Sequence, residues 1–195
     1  YYLFIFLSFL LSQNNNVVHI PIKGDIDMGL PYYIERGIQI AEQDSAKLII
    51  FEVDTFGGRV DAATRIKDLI LETKINTVAF INRRAISAGA LISLSCDKIS
   101  MSEGATIGAA TAVDAKGEKA SEKVISYMRE EMASTAEKRG RNKAIARGMV
   151  DEELTFTHLL IDQDSILVDD IEGRKEGKLI SLTTDQALKY HIADG

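Results

Sequence analysis

The sequence predicts an α/β fold with a mainly parallel sheet, and three observations lead there. Apolar runs of strand composition alternate with segments of helical spacing from Val17 to Met101. One run, Lys47 to Val53 (Lys-Leu-Ile-Ile-Phe-Glu-Val), is nearly continuous, as expected of a parallel strand covered on both faces. No internal repeat or low-complexity linker interrupts the 195 residues, a length that suits one domain with a real core.

Taken in order, Val17 to Ile22 reads as the first strand. Pro31 introduces a helix over Tyr32 to Asp44, with Ile34, Ile38 and Ala41 on one face. The Lys47 strand ends in Asp54-Thr55-Phe56-Gly57-Gly58-Arg59. Val60, Ala63, Ile66 and Ile70 then line the next helix, which Asn76 closes. The run from Thr77 is β-branched and aromatic and predicts a buried strand. Ser87 to Ser93 is small and apolar at helical density, with no charge before Asp97. Lys98 to Met101 is a short strand, and Ser102 to Gly117 reads as loop. A long helix is expected over Glu118 to Arg139, with Val124, Met128, Met132 and Ala136 on one face and Ile125 beside them, stopped by Gly140. The tail offers a short helix over Lys143 to Met149, strands at Leu159–Ile161 and Ile166–Val168, and a solvated segment from Asp169 to Lys178. Thr183 to Gln186 has capping-box spacing and opens a last helix.

Composition narrows the function. A net charge of -6 argues against nucleic acid, whose phosphates need a basic partner. Cys96 is the single cysteine and reads as packing. His19, His158 and His191 stand far apart with no ligand-spaced cluster, so no metal site and no cofactor is expected. Tyr1 to Leu11 is almost wholly apolar, too short to span a bilayer comfortably, and matches the core of a secretory signal or an N-terminal anchor. Residues 1–16 are therefore read as leader and polar spacer, truncated at the start, with the domain from residue 17 working outside the cytoplasm.

Two strand ends carry the chemistry. Ligands of open α/β sheets sit beyond the carboxyl ends of the strands. Gly57-Gly58 follows one strand and Ser87 the next. Ser87 stands at a helix start, where unpaired N–H groups and the helix dipole favour negative charge. Taken alone, a helix cap is the better explanation of Ser87. If the N–H groups of Gly57, Gly58 and Ala88 converge near Ser87, they form an oxyanion hole, worth about 3 kcal/mol per donor. A serine hydroxyl needs a base, and no histidine has an obvious claim. A lysine in apolar surroundings can serve. Lys123, at the start of the long helix, is the best candidate, and Lys116 and Lys119 are its rivals; each is more simply read as a solvated surface lysine.

The set Asp54-Thr55-Phe56-Gly57-Gly58-Arg59-Val60-Asp61, Ala85-Ile86-Ser87-Ala88-Gly89-Ala90 and Ile107-Gly108-Ala109 resembles the NfeD family of membrane-associated serine proteases, the stomatin-operon partner proteins of the ClpP/crotonase superfamily. The closing segments Leu182 to Leu188 and Ile192 to Gly195 look like the end of that family's protease domain. The resemblance covers nearly everything after the leader. It implies a ClpP/crotonase-like fold with repeated β-β-α units and a Ser–Lys dyad. The nucleophile maps onto Ser87. The base precedes a long helix ending in Gly-Arg-Asn, here Gly140-Arg141-Asn142, and counting back along that helix lands on Lys123. Phe56 stands where relatives commonly have Pro, and His191 where a glycine is usual. The family's membrane helices and small β-barrel have no counterpart before Gly195, so the resemblance implies a protease domain belonging to a longer protein.

The expected function is a serine endopeptidase that cleaves apolar segments of membrane-associated proteins, the expected partners being a stomatin-like protein and further copies of itself in a dimer or larger assembly. The expected location is the membrane, with the domain on the extracytoplasmic side. The alternatives are a crotonase-type acyl-thioester enzyme and a scaffold that binds membrane-protein tails without cutting them.

Overall fold

A computed structural model describes residues 16–113, 117–153, 158–161, 164–167 and 178–195. The leader to residue 15, Lys116 and most of the Asp169–Lys178 segment lie outside the described residues. The elements run β1 (Val17–Lys23), α1 (Leu30–Gln43), β2 (Leu48–Thr55), α2 (Val60–Glu72), β3 (Asn76–Ile86), α3 (Ala88–Ser95), β4 (Lys98–Met101), β5 (Thr106–Gly108), α4 (Glu122–Lys138), α5 (Lys143–Gly148), β6 (His158–Ile161), β7 (Asp164–Leu167), β8 (Ser181–Thr183) and α6 (Thr184–Lys189). The main sheet has the order β1-β2-β3-β5-β8, and β4 also pairs with β3. All its ladders are parallel except β5 with β8. The strand-to-helix alternation of the first half is as the sequence predicts, and β4 and β5 in succession before α4 supply a β-β-α unit. β6 and β7 form a separate antiparallel pair.

Long β3 organises the rest. Its first half pairs with β4 and its last three residues with β5, so the strand carries the chain to Ser87 between two supports. Segment 102–117, expected as loop, contains β5, which is anchored because Ile107 and Gly108 are buried and pair on both sides. Three residues with one large apolar side chain give no periodic signal, so only the long-range pairing reveals the strand.

α1, α2, α3 and α4 pack side by side in chain order. β2 is not covered equally on both faces. Ile49, Phe51, Val53 and Thr55 are buried, and the alternate positions are half-buried. Glu52 explains this, since a carboxylate in the middle of the run needs partners. It finds them on the second face: Lys23 at 2.8 Å, His19 at 3.0 Å and Asn82 at 2.9 Å. On α4, Ile125, Met128, Met132 and Ala136 are buried, while Val124 stays exposed. Cys96 is fully buried, and burial pushes its thiol up to about 12, in keeping with packing. Thr183 and Gln186 form the predicted capping box.

The Gly140-Arg141-Asn142 turn ties the tail to the core. Gly140 takes φ +71°, and the Asn142 side chain accepts from the N–H groups of Ala144 and Ile145 to cap α5. Buried Arg141 donates to Ile192 O at 3.0 Å, Cys96 O at 3.1 Å and Asp194 Oδ2 at 3.1 Å. Burial pushes the Asp194 carboxyl upward, but hydrogen bonds from Lys98 and the Ile99 N–H and the charge of Arg141 outweigh it and hold it below its ordinary value. A depressed carboxyl contributes stability above the unfolded value of about 3.9 and loses it as pH falls through the folded value. Thermal unfolding followed from pH 7 to 2 is therefore expected to show Tm falling most steeply below about pH 4. Asp194→Asn should be less stable at pH 7 and show a shallower acid fall; equal slopes would remove Asp194 from the account.

Candidate active site

β2 ends in a buried threonine that the sequence reading did not single out. Thr55 Oγ1 donates to Gly24 O at 2.6 Å and accepts from the Gly57 N–H at 2.9 Å. The signal was a hydroxyl closing an apolar strand, two residues before the first of the paired glycines. The next residues run beside Ile26: the Ile26 N–H donates to Gly57 O at 2.9 Å and the Arg59 N–H to Ile26 O at 2.8 Å. In such a parallel bridge, Gly58 between the two bonded residues turns its own N–H away from Ile26. No acceptor for it stands among the described residues.

Ser87 sits between β3 and α3 at φ 56°, ψ -121°. That conformation is costly for any side chain, of order 1–3 kcal/mol, and strain of this kind gathers at functional sites. Its N–H is fixed on Gly108 O at 3.0 Å, and its side chain makes no cap bond. The simple capping role is therefore absent, and the hydroxyl is left half-buried at the cleft. The Ala88 N–H, in the first turn of α3, likewise has no acceptor among the described residues. Gly57 passes so close that a Cβ there would lie 2.6 Å from Ser87 Cβ.

The structure thus gathers Gly57, Gly58, Ser87 and Ala88 but separates their roles. Gly58 and Ala88 keep N–H groups to offer. Gly57, expected as a third donor, spends its N–H on Thr55 and serves by letting the loop touch Ser87. The cleft encloses about 500 Å³. Gly58, Ser87 and Ala88 line it together with Asp25, Ile26, Ala110 and Met128, none of which the sequence reading had placed there. Asp25 and Ile26 come from the turn after β1, and Met128 from the second turn of α4. No described residue lining the cleft is a histidine. His19 lies on the far sheet face against Glu52, and His191 is exposed.

Lys123, which as a base needs apolar surroundings such as Ile86 and Val124 would give, is exposed in the first turn of α4. The reason is local: this turn faces outward, and Ile86 lines a different hollow with Phe56 and Arg84. Lys123 borders a cavity of about 650 Å³ that shares Arg59 and Val60 with the Ser87 cleft. Its rival Lys119 is committed elsewhere, bonded to Glu152 at 3.0 Å, and that bond raises its affinity for the proton. Lys116 lies outside the described residues. No group of three potential metal ligands occurs among the described residues, and no described helix is long and apolar enough to cross a membrane.

A mainly parallel main sheet with helices packed in chain order is the fold of ClpP-like protease domains. ClpP1 of Listeria monocytogenes shares the fold at TM-score 0.59, with 19% identity over 90% of this chain and 88% of its own. The family description "NfeD1b, N-terminal domain" matches residues 16–195, and the chain belongs to that family. It is 34% identical over 184 residues to membrane protein NfeD1b of Bacillus subtilis, covering 94% of this chain and 39% of that protein. It is also 34% identical over 161 residues to membrane-bound protease PH1510 of Pyrococcus horikoshii, covering 78% of this chain and 36% of that protein. The chain thus spans well under half the length of these relatives. Among solved structures, a lysine-to-alanine mutant of the 1510-N membrane-bound stomatin-specific protease, in complex with a substrate peptide, has TM-score 0.74 and 31% identity over 92% of this chain and 74% of that one. A serine-to-alanine mutant of the same protease matches at TM-score 0.72, with 30% identity over 92% of this chain and 78% of that one.

Proposed function

We propose that this domain is a serine endopeptidase with a Ser87–Lys123 dyad. One observation carries the reading: the Ser87 hydroxyl is held in a strained turn at the cleft, without a cap bond, beside the unspent N–H groups of Gly58 and Ala88. The mutated serine and lysine named in the similar stomatin-specific protease structures support it.

Ser87 Oγ attacks the peptide carbonyl carbon as its proton passes to the neutral Lys123 Nζ. The Gly58 and Ala88 N–H groups hold the resulting oxyanion. Collapse breaks the C–N bond, and Lys123 returns the proton to the leaving amine. Water then attacks the acyl ester, its proton passing through Lys123 back to Ser87 Oγ as the acid product leaves. Lys123 must turn from its exposed position toward Ser87 for the first step. Packing of two or more copies is the arrangement in which we place that turn. The substrate class is apolar peptide segments of membrane-associated proteins, a stomatin-like protein among them, met on the extracytoplasmic side.

The test is casein or apolar-peptide hydrolysis by lysine variants. Lys123→Ala should lower turnover about 10²–10⁴-fold, the usual worth of a positioned base. Lys123→Arg should not restore it, because guanidinium stays protonated. Lys116→Ala and Lys119→Ala should cut at close to the parental rate. Loss of turnover in either of these, with Lys123→Ala unaffected, would move the base to the other lysine.

A further inference from the structure

The cavity beside the Ser87 cleft is bordered by Lys123, but its other walls supply no group to the bond-breaking steps. It lies between the first two turns of α2 and the first two turns of α4 and holds about 650 Å³. Val60 and Thr64 form one wall, four residues apart on the same face of α2, and Val124 and Tyr127 form the other. The wall is almost wholly apolar although charged residues border it, so Arg59 and Lys123 present their aliphatic stems. Arg59 is held in place by a two-point pair with Asp61, at 3.0 and 2.6 Å. Thr64 Oγ1 and Tyr127 Oη approach to 3.4 Å across the two helices.

Val124 and Tyr127 are among the exposed large apolar residues, at 36% and 47%. A hollow of this size with exposed apolar walls accommodates a large side chain. Arg59 and Val60 line both this cavity and the Ser87 cleft, so a chain lying with its carbonyl at Ser87 passes the mouth of the hollow.

We propose that this cavity is the specificity pocket of the domain, taking one large aliphatic or aromatic side chain of the peptide held at Ser87, with Val60, Thr64, Val124 and Tyr127 as the selecting residues. The proposal rests on the peptidase reading for the identity of its occupant. A side chain seated there also covers the flank of Lys123 from water. Thr64→Phe fills the pocket from a half-buried wall position, and Tyr127→Ala enlarges it at an exposed one.

A randomised decapeptide library is passed over immobilised Ser87→Ala protein and over its Thr64→Phe and Tyr127→Ala derivatives, and the retained peptides are sequenced. Retention by Ser87→Ala protein of peptides rich in Leu, Ile, Met or Phe at one position is expected. Thr64→Phe should erase that preference, and Tyr127→Ala should move it toward Phe and Tyr. The same library is then cut with parental protein and the Thr64→Phe variant. Peptides with the preferred residue should lose at least about 10–200-fold in kcat/KM in the variant, the range for a single methylene in an apolar pocket. Far-UV circular dichroism and Tm of the Thr64→Phe protein, compared with the parent, show that the fold is kept. Identical retained sequences with and without Thr64→Phe overturn the pocket. So does a change of sedimentation in Thr64→Phe or Tyr127→Ala without a change in retained peptides, which makes the hollow a contact between copies. Retention with the predicted preference but no cutting upholds the pocket and sinks the peptidase reading instead.

Discussion

Ser87→Ala is expected to lower peptide cleavage by at least about 10⁴-fold, since a serine nucleophile removed from a hydrolytic dyad leaves only binding and the oxyanion hole. The fold should hardly notice. The hydroxyl makes no cap bond, so the usual cost of removing a capping serine, about 1 kcal/mol, does not arise. Ser87→Gly extends the argument. At φ 56°, ψ -121° a glycine escapes the strain that a Cβ imposes. The glycine variant should be equally inactive and more stable than the parent by about 1 kcal/mol, read as a rise in Tm. Parental cutting rates in Ser87→Ala, or a fall in Tm in Ser87→Gly, would contradict the role given to this turn.

Gly58→Ala is expected to do the greater structural damage. A Cβ there would lie 2.3 Å from Ile26 O and 2.6 Å from Ile26 N, and both are backbone atoms that no rotamer change can move. The Ile26 turn and the Gly57–Arg59 segment would have to part, breaking the two hydrogen bonds that hold them and disturbing buried Ile26. A loss of about 3 kcal/mol or more follows, with loss of cleavage because the Gly58 N–H leaves its place. Gly104→Ala is the control. Gly104 also has positive φ, at 75°, but a Cβ there meets nothing within 4 Å, so the cost should stay near 1 kcal/mol, with activity kept. Chemical denaturation of the two variants compares them directly. Similar losses in both would mean that close approach to Ile26 is not what requires glycine at position 58.

What could be read in the sequence was local or periodic. The capping box at Thr183 is a four-residue device, and the faces of α1 and α2 follow from spacing. The order of strand, Gly-Gly, strand and Ser87 marked segments that meet at one cleft. What escaped was set by partners far along the chain. β5 and β8 exist because of pairing across more than seventy residues. The fate of the Gly57 N–H depends on how the Thr55 hydroxyl turns, which no motif encodes. Lys119 and Lys123 look alike as residues, and Glu152 tells them apart. The contribution of Met128 and Ile26 to the cleft comes from docking α4 and the turn after β1 over it. The strain at Ser87 was hidden as well, since a serine before a helix reads first as a cap.

The central claim, that Ser87 is a nucleophile, is tested most directly by covalent capture. The domain is incubated with a fluorophosphonate probe, digested, and the labelled peptide mapped by mass spectrometry. The account predicts a single adduct on Ser87 Oγ, its absence from Ser87→Ala protein, and markedly slower labelling of Lys123→Ala protein. Label on another serine, or equal labelling of parent and Ser87→Ala protein, would contradict it.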